Sequence, residues 1–280
     1  MTSCQSPILT VDKTRCHHCG ECVRDCLARI IALDDDGFPE IDAADEPECM
    51  RCQHCMAVCP EGAVSILGRS PEASISLDPG RFPSLDAMDL LVRGRRSVRH
   101  YEARNVDPAL LSRLLATLAN VPTGANACLT TFTVIDDIDV MASVKAAMIK
   151  AIRRAAVAGN LPARYGNLTE QSDERMAARI FRNAPHALIA SVPPTAPCPS
   201  EDAALAIATF DLLAQCAGLG CVWWGMLRYF ANTIPEIKEI LGLPADHLYS
   251  AALFGYPAIE FARTVQRDDA AVVRRVGAGE

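Results

Sequence analysis

The sequence has no apolar run long enough to span a membrane. Its longest apolar stretch, residues 203–224, is broken by Asp211, Gln215, Gly218 and Gly220. It reads as a buried helix and turn, because a span needs about 20 predominantly apolar residues. Residues 1–14 lack an apolar h-region, so no secretory signal is expected there. Positive charge is not in excess: 27 Lys and Arg stand against 34 Asp and Glu, a net charge of −7. That sign argues against nucleic acid as a partner. A dinucleotide fingerprint is missing as well. Gly218-Leu219-Gly220 begins like one, but Trp223 stands where the third glycine belongs, and the motif follows a helix pattern instead of a strand. No segment is of low complexity, and no repeat recurs after Pro60.

Cysteine, by contrast, is plentiful, with 13 in 280 residues. Eight of them form two copies of one spacing: Cys16-x2-Cys19-x2-Cys22-x3-Cys26, and Cys49-x2-Cys52-x2-Cys55-x3-Cys59 followed by Pro60. Thiolates are soft ligands that suit iron. Three of them two residues apart can wrap one face of an iron–sulfur cubane, while the fourth, after a longer gap, points away and reaches a second cluster. The expected ligand sets are therefore crossed: Cys16, Cys19, Cys22 and Cys59 on one cluster, and Cys49, Cys52, Cys55 and Cys26 on the other. Structural zinc uses two Cys-x2-Cys knuckles, and a third cysteine in the run is one ligand too many for it. Disulfides do not suit a chain with nothing to mark it as secreted. Reduced thiols without an export signal place the expectation in the cytoplasm.

The repeat resembles the bacterial two-[4Fe–4S] ferredoxins over residues 1–70. Cys26 departs from the pattern only in being followed by Leu27, where the second run has Pro60. Ile30-Ile31-Ala32-Leu33 and Pro39-Glu40-Ile41 predict a hairpin turned by Asp36-Gly37, and residues 63–66 a strand after the second run. A domain this small cannot hold itself together by burial alone and is expected to rely on its clusters. His17, His18 and His54 lie inside the cluster loops, either as turn residues facing solvent or as groups that tune a cluster potential. Residues 1–75 hold 13 Asp or Glu against 6 Lys or Arg, so the whole negative excess sits there. That surplus is either a solvated face or a patch that steers a basic electron-transfer partner.

Residues 71–87, with Pro71, Pro79, Gly80 and Pro83 as breakers, read as a linker. Residues 88–280 then alternate helix and strand patterns. Leu110, Leu111, Leu114, Leu115 and Leu118 mark a helix face opened by Asp107-Pro108. Strands are expected over 131–135, 187–192 and 249–254, and helices over 140–157 and 203–217. Helices outnumber strands, which gives an α+β domain.

Arg95-Arg96-Ser97-Val98-Arg99 is the second informative motif. In an extended segment Arg95, Ser97 and Arg99 point the same way, and two guanidiniums with a hydroxyl make a phosphate clamp. Val121-Pro122-Thr123-Gly124-Ala125-Asn126, Gly218-Leu219-Gly220-Cys221 and Phe254-Gly255-Tyr256-Pro257 follow, then Arg263 and Arg267. In this order the motifs resemble the nitroreductase superfamily of FMN enzymes over residues 88–270. The resemblance implies a homodimer with FMN at its interface. It makes Arg95, Ser97 and Arg99 phosphate binders, with Arg263 or Arg267 reaching the same group. Pro122, Thr123 and Asn126 become flavin contacts. The segment of Trp223, Trp224, Gly225 and Met226 becomes the one whose backbone N–H faces flavin N5. Cys128 stands where the family often has glutamine, as a core thiol or a thiol near the flavin. Trp223 and Trp224 either narrow a substrate cleft or fill core. Cys4, Cys198, Cys216 and Cys221 are assigned no chemistry.

Together the two resemblances imply an iron–sulfur flavoenzyme. Electrons from a one-electron donor, a ferredoxin or a flavodoxin, would pass two [4Fe–4S] clusters and FMN to an electron-poor acceptor such as a nitroaromatic, a quinone or an activated alkene. No side chain announces itself as a general acid. The alternatives are an electron-transfer or redox-sensing module without turnover, and an ene-reductase or dehalogenase on the same fold. Residue patterns name neither the acceptor nor the donor.

Overall fold

The computed structural model describes residues 9–161, 165–267 and 270–277. Cys4 lies outside the described residues. The chain divides into two units. One runs to Phe82 and takes in Ala125–Ala127; the other comprises Pro83–Gly124 and the residues from Cys128 onward.

The first unit is built twice. The cysteine runs are offset by 33 positions, and so are their backbone specials: His18 with Arg51, Gly20 with Gln53 and Arg29 with Gly62 all have positive φ. Left-handed backbone costs a non-glycine residue roughly 1–2 kcal/mol. Four non-glycine residues accept it because the loop must curl around what the thiols hold. Each run passes into a short helix, α1 (Glu21–Asp25) and α2 (His54–Ala57). The expected hairpin forms, β2 (Ile31–Leu33) against β3 (Pro39–Ile41), with Gly37 at φ +84° in its turn. The strand after the second run is β4 (Val64–Ser65), which pairs with β1 (Thr10–Val11). Cys22, Ile30, Ile31, Cys55, Met56, Val64 and Ile66 form the small core.

The second unit opens with α3 (Leu85–Gly94), which begins inside the stretch expected as linker; Ser84 caps it by accepting from the Ala87 N–H. Then come α4 (Pro108–Thr117), β5 (Thr131–Ile135), α5 (Ile138–Val157), α6 (Gly166–Thr169), α7 (Asp173–Phe181) and β6 (His186–Val192). They are followed by α8 (Pro199–Cys216), β7 (Gly220–Trp223), α9 (Gly225–Thr233), α10 (Pro235–Ile240) and β8 (Leu248–Gly255). The sheet order is β5-β6-β8-β7, antiparallel throughout. The central strand β6 is buried at every position, and strand alternation divides it between two cores. Ala187 and Ile189 face a layer that includes α5, α7 and α9. Leu188, Ala190 and Val192 face α4 and α8. A strand covered on both faces reads as one continuous apolar run, which is how residues 187–190 appear in the sequence. No described helix is long and apolar enough to cross a membrane.

Candidate functional site

In the first unit the structure gathers the eight motif cysteines in crossed sets. Cys16, Cys19, Cys22 and Cys59 line one cavity, and Cys26, Cys49, Cys52 and Cys55 line another. Backbone N–H groups point at the sulfurs: Arg51 N–H donates to Cys49 Sγ at 3.4 Å and Ala63 N–H to Cys59 Sγ at 3.2 Å. Burial raises the Cys22 thiol pKa, and the nearby Cys59 and Cys19 sulfurs add to that. Cys55 is pushed up to about 12 by burial first and then by Cys52, Cys49 and Cys22. Sulfurs this close cannot all ionise unless a cation offsets them. Among the described residues, no three His, Cys, Asp or Glu side chains could hold a single metal ion. Four thiols spread around a cavity suit a four-iron cluster, which is larger than an ion.

The histidines in these loops have structural partners. His18 Nδ1 lies 2.9 Å from the Gly37 carbonyl, and its ring packs at a tilt against Phe38. His54 Nδ1 lies 3.2 Å from Asp25 Oδ2, and His17 pairs with Glu61.

In the second unit the site is built on β7. The Val98 N–H donates to the Cys221 carbonyl at 2.8 Å, and Ser97 bridges Cys221 in parallel. Close approach requires Gly220, where a Cβ would lie 2.4 Å from Val98 Cγ2. This pairing fixes the extended segment that carries Arg95, Ser97 and Arg99. Ser97 and Arg99 line a cleft of about 240 Å³ with Trp223, Trp224, Gly225 and Met226. Arg179 and Arg182, from α7 and its end, line it too. Neither is singled out by the sequence, where α7 shows only as charged residues around Met176 and Ile180. Its start does carry a signal, since Ser172 caps it by accepting from the Arg175 N–H.

Arg95 departs from the expected arrangement. Its Nη1 lies 3.1 Å from Asp211 Oδ2, on a carboxylate whose side chain is 5% exposed. Burial raises the Asp211 carboxyl, opposed by Arg95 and by a hydrogen bond from the Trp223 side chain. A buried charge needs a partner, and Arg95 supplies it; Arg95 is not among the residues lining the cleft. The two tryptophans divide their roles. Trp223 is 44% exposed at the cleft, whereas Trp224 is 2% exposed and packs on Phe181. Trp224 Nε1 is buried without a protein partner. Neither Gly225 nor Met226 belongs to an intrahelical bond at its N–H, as befits the first turn of α9. Guanidiniums, a hydroxyl and first-turn N–H groups fit a phosphorylated, acceptor-rich ring system.

The other expected flavin contacts lie elsewhere in the described chain. Thr123 lines a different cavity together with Cys128. Cys128 is exposed, and its N–H donates to Thr123 Oγ1 at 3.0 Å, so the expectation of a core thiol is corrected. The Gly124 N–H donates to Asp202 Oδ1 at 2.9 Å. Asp202 and Asp211 both lie on α8, roughly two and a half turns or about 13 Å apart along its axis. The Pro122 loop is thus anchored well away from the Arg95 anchor. Asn126 donates to the Met50 carbonyl at 2.9 Å, inside the first unit. Arg263 and Arg267 lie on the exposed stretch after β8 and do not line the cleft.

Residues 92–256 match the nitroreductase family, and residues 15–63 match the 4Fe-4S dicluster domain. Among solved structures, the second unit is similar to an FMN-dependent nitroreductase from Clostridium difficile R20291. That likeness has a TM-score of 0.51 and 18% identity, covering 68% of this chain and 98% of the other. It is also similar to a nitroreductase with bound FMN from Desulfitobacterium hafniense DCB-2, at a TM-score of 0.50 and 20% identity, covering 66% of this chain and 96% of the other. At these identities the likeness speaks for the fold. The first unit is 40% identical over 57 residues to an iron-sulfur subunit assigned to a dimethyl sulfoxide reductase of Halobacterium salinarum. That match covers 20% of this chain and 21% of the other protein.

Proposed function

The chain belongs to the nitroreductase family, and from that premise we propose an FMN-dependent oxidoreductase fed by its own iron–sulfur domain. The observation that carries the reading is the joining, in one chain, of two crossed four-thiol cavities and a cleft lined by Ser97 and three arginines. Each [4Fe–4S] cluster handles one electron, and FMN collects two for transfer to an acceptor. For a nitro group, two electrons delivered singly by a ferredoxin or flavodoxin, plus two protons from water, give a nitroso group and one water. Quinones and activated alkenes are acceptors of the same class.

Each residue has a part in this scheme. Cys16, Cys19, Cys22 and Cys59 hold one cluster; Cys49, Cys52, Cys55 and Cys26 hold the other. Ser97 and Arg99 bind the FMN phosphate, braced by Arg95 on Asp211. The first-turn N–H groups of Gly225 and Met226 donate to the flavin ring. Pro122, Thr123 and Asn126 act on the flavin of a second copy, and Arg263 or Arg267 completes a phosphate site once the dimer forms. Exposed Leu85, Leu90 and Val92 on α3 and Leu205 on α8 support a second copy as their cover.

The test is anaerobic. Purified protein should hold roughly 8 iron atoms per chain in two four-iron clusters and one FMN. Reduced ferredoxin should bleach both chromophores, and a nitroaromatic, quinone or enone should restore the flavin spectrum. Bleaching without restoration by any acceptor would leave an electron-transfer module in place of an enzyme.

A further inference from the structure

The cleft carries more positive charge than one FMN phosphate uses. Arg99, Arg179 and Arg182 line it, and no Asp or Glu does. In the same helical layer Arg153 pairs with Asp173 and Arg154 with Glu236, whereas the exposed Arg175 and Arg228 do without a partner among the described residues. Among the described residues, neither Arg179 nor Arg182 has an ion-pair or hydrogen-bond partner for its guanidinium. A phosphate monoester carries at most about two negative charges. In the proposed dimer site, Arg99 with either arginine of the exposed stretch after β8 balances that. The α7 pair is then surplus.

The backbone at the end of α7 points the same way. Arg182 ends the helix at φ 51°, and Asn183 follows at φ 55°. Glycine or asparagine ordinarily takes a left-handed helix-ending position. Arginine adopts it at a conformational cost, and such strain persists at ligand clamps when the surroundings impose it. Here the Arg182 N–H is tied to the Ala178 carbonyl. A cation at a helix C-terminus also interacts favourably with the helix dipole, but that benefit requires neither the strained position nor a place in the cleft.

Resting on the reading of this cleft as the FMN and acceptor site, we propose that Arg179 and Arg182 form an oxyanion-recognition pair that selects acceptors bearing a carboxylate or phosphate group. Both line this one cleft, Arg179 from the last turn of α7 and Arg182 from its left-handed end. Two guanidinium forks there can grip a planar or tetrahedral oxyanion by bidentate hydrogen bonds. The acceptor is thus a small, electron-poor and anionic molecule.

Two measurements on the full-length, FMN-loaded protein test this. The first is binding without turnover: perturbation of the oxidised flavin spectrum by benzoate, phenyl phosphate and neutral benzamide. At least one anion should bind roughly 10- to 100-fold more tightly than benzamide, the range expected of a charge-assisted pair; the two anions separate carboxylate from phosphate recognition. The variant R179Q/R182N, whose asparagine tolerates the left-handed backbone, should lose that preference and keep its FMN. The variant R179K/R182K should recover part of it. The second is reoxidation of the pre-reduced protein by 4-nitrobenzoate and 4-nitrobenzamide, with the anion favoured in the parent only. Equal binding of anion and amide to the parent, or an undiminished preference in R179Q/R182N, overturns the proposal. So does loss of FMN from R179Q/R182N, which would give the pair to the cofactor phosphate. Tight benzoate or phenyl phosphate binding with no reoxidation by either nitro compound upholds the anion site and sinks the acceptor chemistry instead.

Discussion

Gly220 shows how one residue decides the geometry of the cleft that Ser97 and Arg99 line. A methyl group there would sit 2.4 Å from Val98 Cγ2, 2.7 Å from Val98 Cβ and 2.9 Å from Val98 Cγ1. Val98 is itself buried and paired through its N–H to Cys221. It cannot yield without moving Ser97 and Arg99, its neighbours on the same extended segment. Gly220→Ala should therefore cost about 1–3 kcal/mol, the range for overpacking a filled core. It should also release FMN on dialysis while iron content holds. Full flavin retention with an unshifted melting curve would mean that the segment adapts freely. The glycine motif itself is legible in the sequence, and so is the placement of Ser97 and Arg99. The reason for the glycine is not, because Val98 lies far away along the chain. Arg95 escapes a sequence reading for a similar reason. Alternation puts it on the face of Ser97 and Arg99, but a buried carboxylate on α8 claims its guanidinium.

Among the elements, those with local signals are the ones legible in advance. The hairpin of β2 and β3 turns where Asp36-Gly37 predicts, and β5 runs from Thr131 to Ile135 as expected. Helix α5 begins at Ile138, two residues before the apolar pattern suggests, because Asp137 caps it by accepting from the Asp139 and Val140 N–H groups. Replacing a capping Asp by Ala costs about 1 kcal/mol. Asp137→Ala should lower the thermal midpoint of the second unit by a few degrees, roughly 2–4 °C for a domain of this size, and leave flavin and cluster spectra alone. A midpoint unchanged within error would show that the cap contributes nothing. The elements that the sequence hides are those whose form is set by tertiary context. β7 is short, starts with glycine, and follows directly on α8. It becomes a strand because β8 offers it an edge. α7 carries four charged residues among its nine and is held by three residues, Met176, Ile180 and Phe181, against the core. Without those two elements in view, Arg179 and Arg182 could not be connected to a cleft.

For the whole molecule, the open matter is whether the iron–sulfur domain feeds the flavin or only holds itself together. Two of the seven buried residues in its core are motif cysteines, Cys22 and Cys55. So small a core cannot stand without its clusters, and a purely structural role is a coherent rival. Charge distinguishes the two. Residues 1–75 hold the entire surplus, 13 acidic side chains against 6 basic. A surplus of this kind steers a basic partner only if one docks, and an exposed docking surface weakens with salt over a screening length of about 10 Å at 0.1 M. The crossed thiol sets provide the tool. Cys59→Ala should damage the cluster of Cys16, Cys19 and Cys22, and Cys26→Ala the other. Both variants should keep FMN, since none of its proposed ligands is altered. If the domain feeds the flavin, both should lose FMN reduction by reduced ferredoxin, and the parent's rate should fall as ionic strength rises. Dithionite, small and independent of docking, should still reduce the FMN of both variants. Equal rates with ferredoxin in parent and cluster-deficient protein would make the clusters structural. A parent rate indifferent to salt would remove the acidic face from the route while leaving the clusters on it.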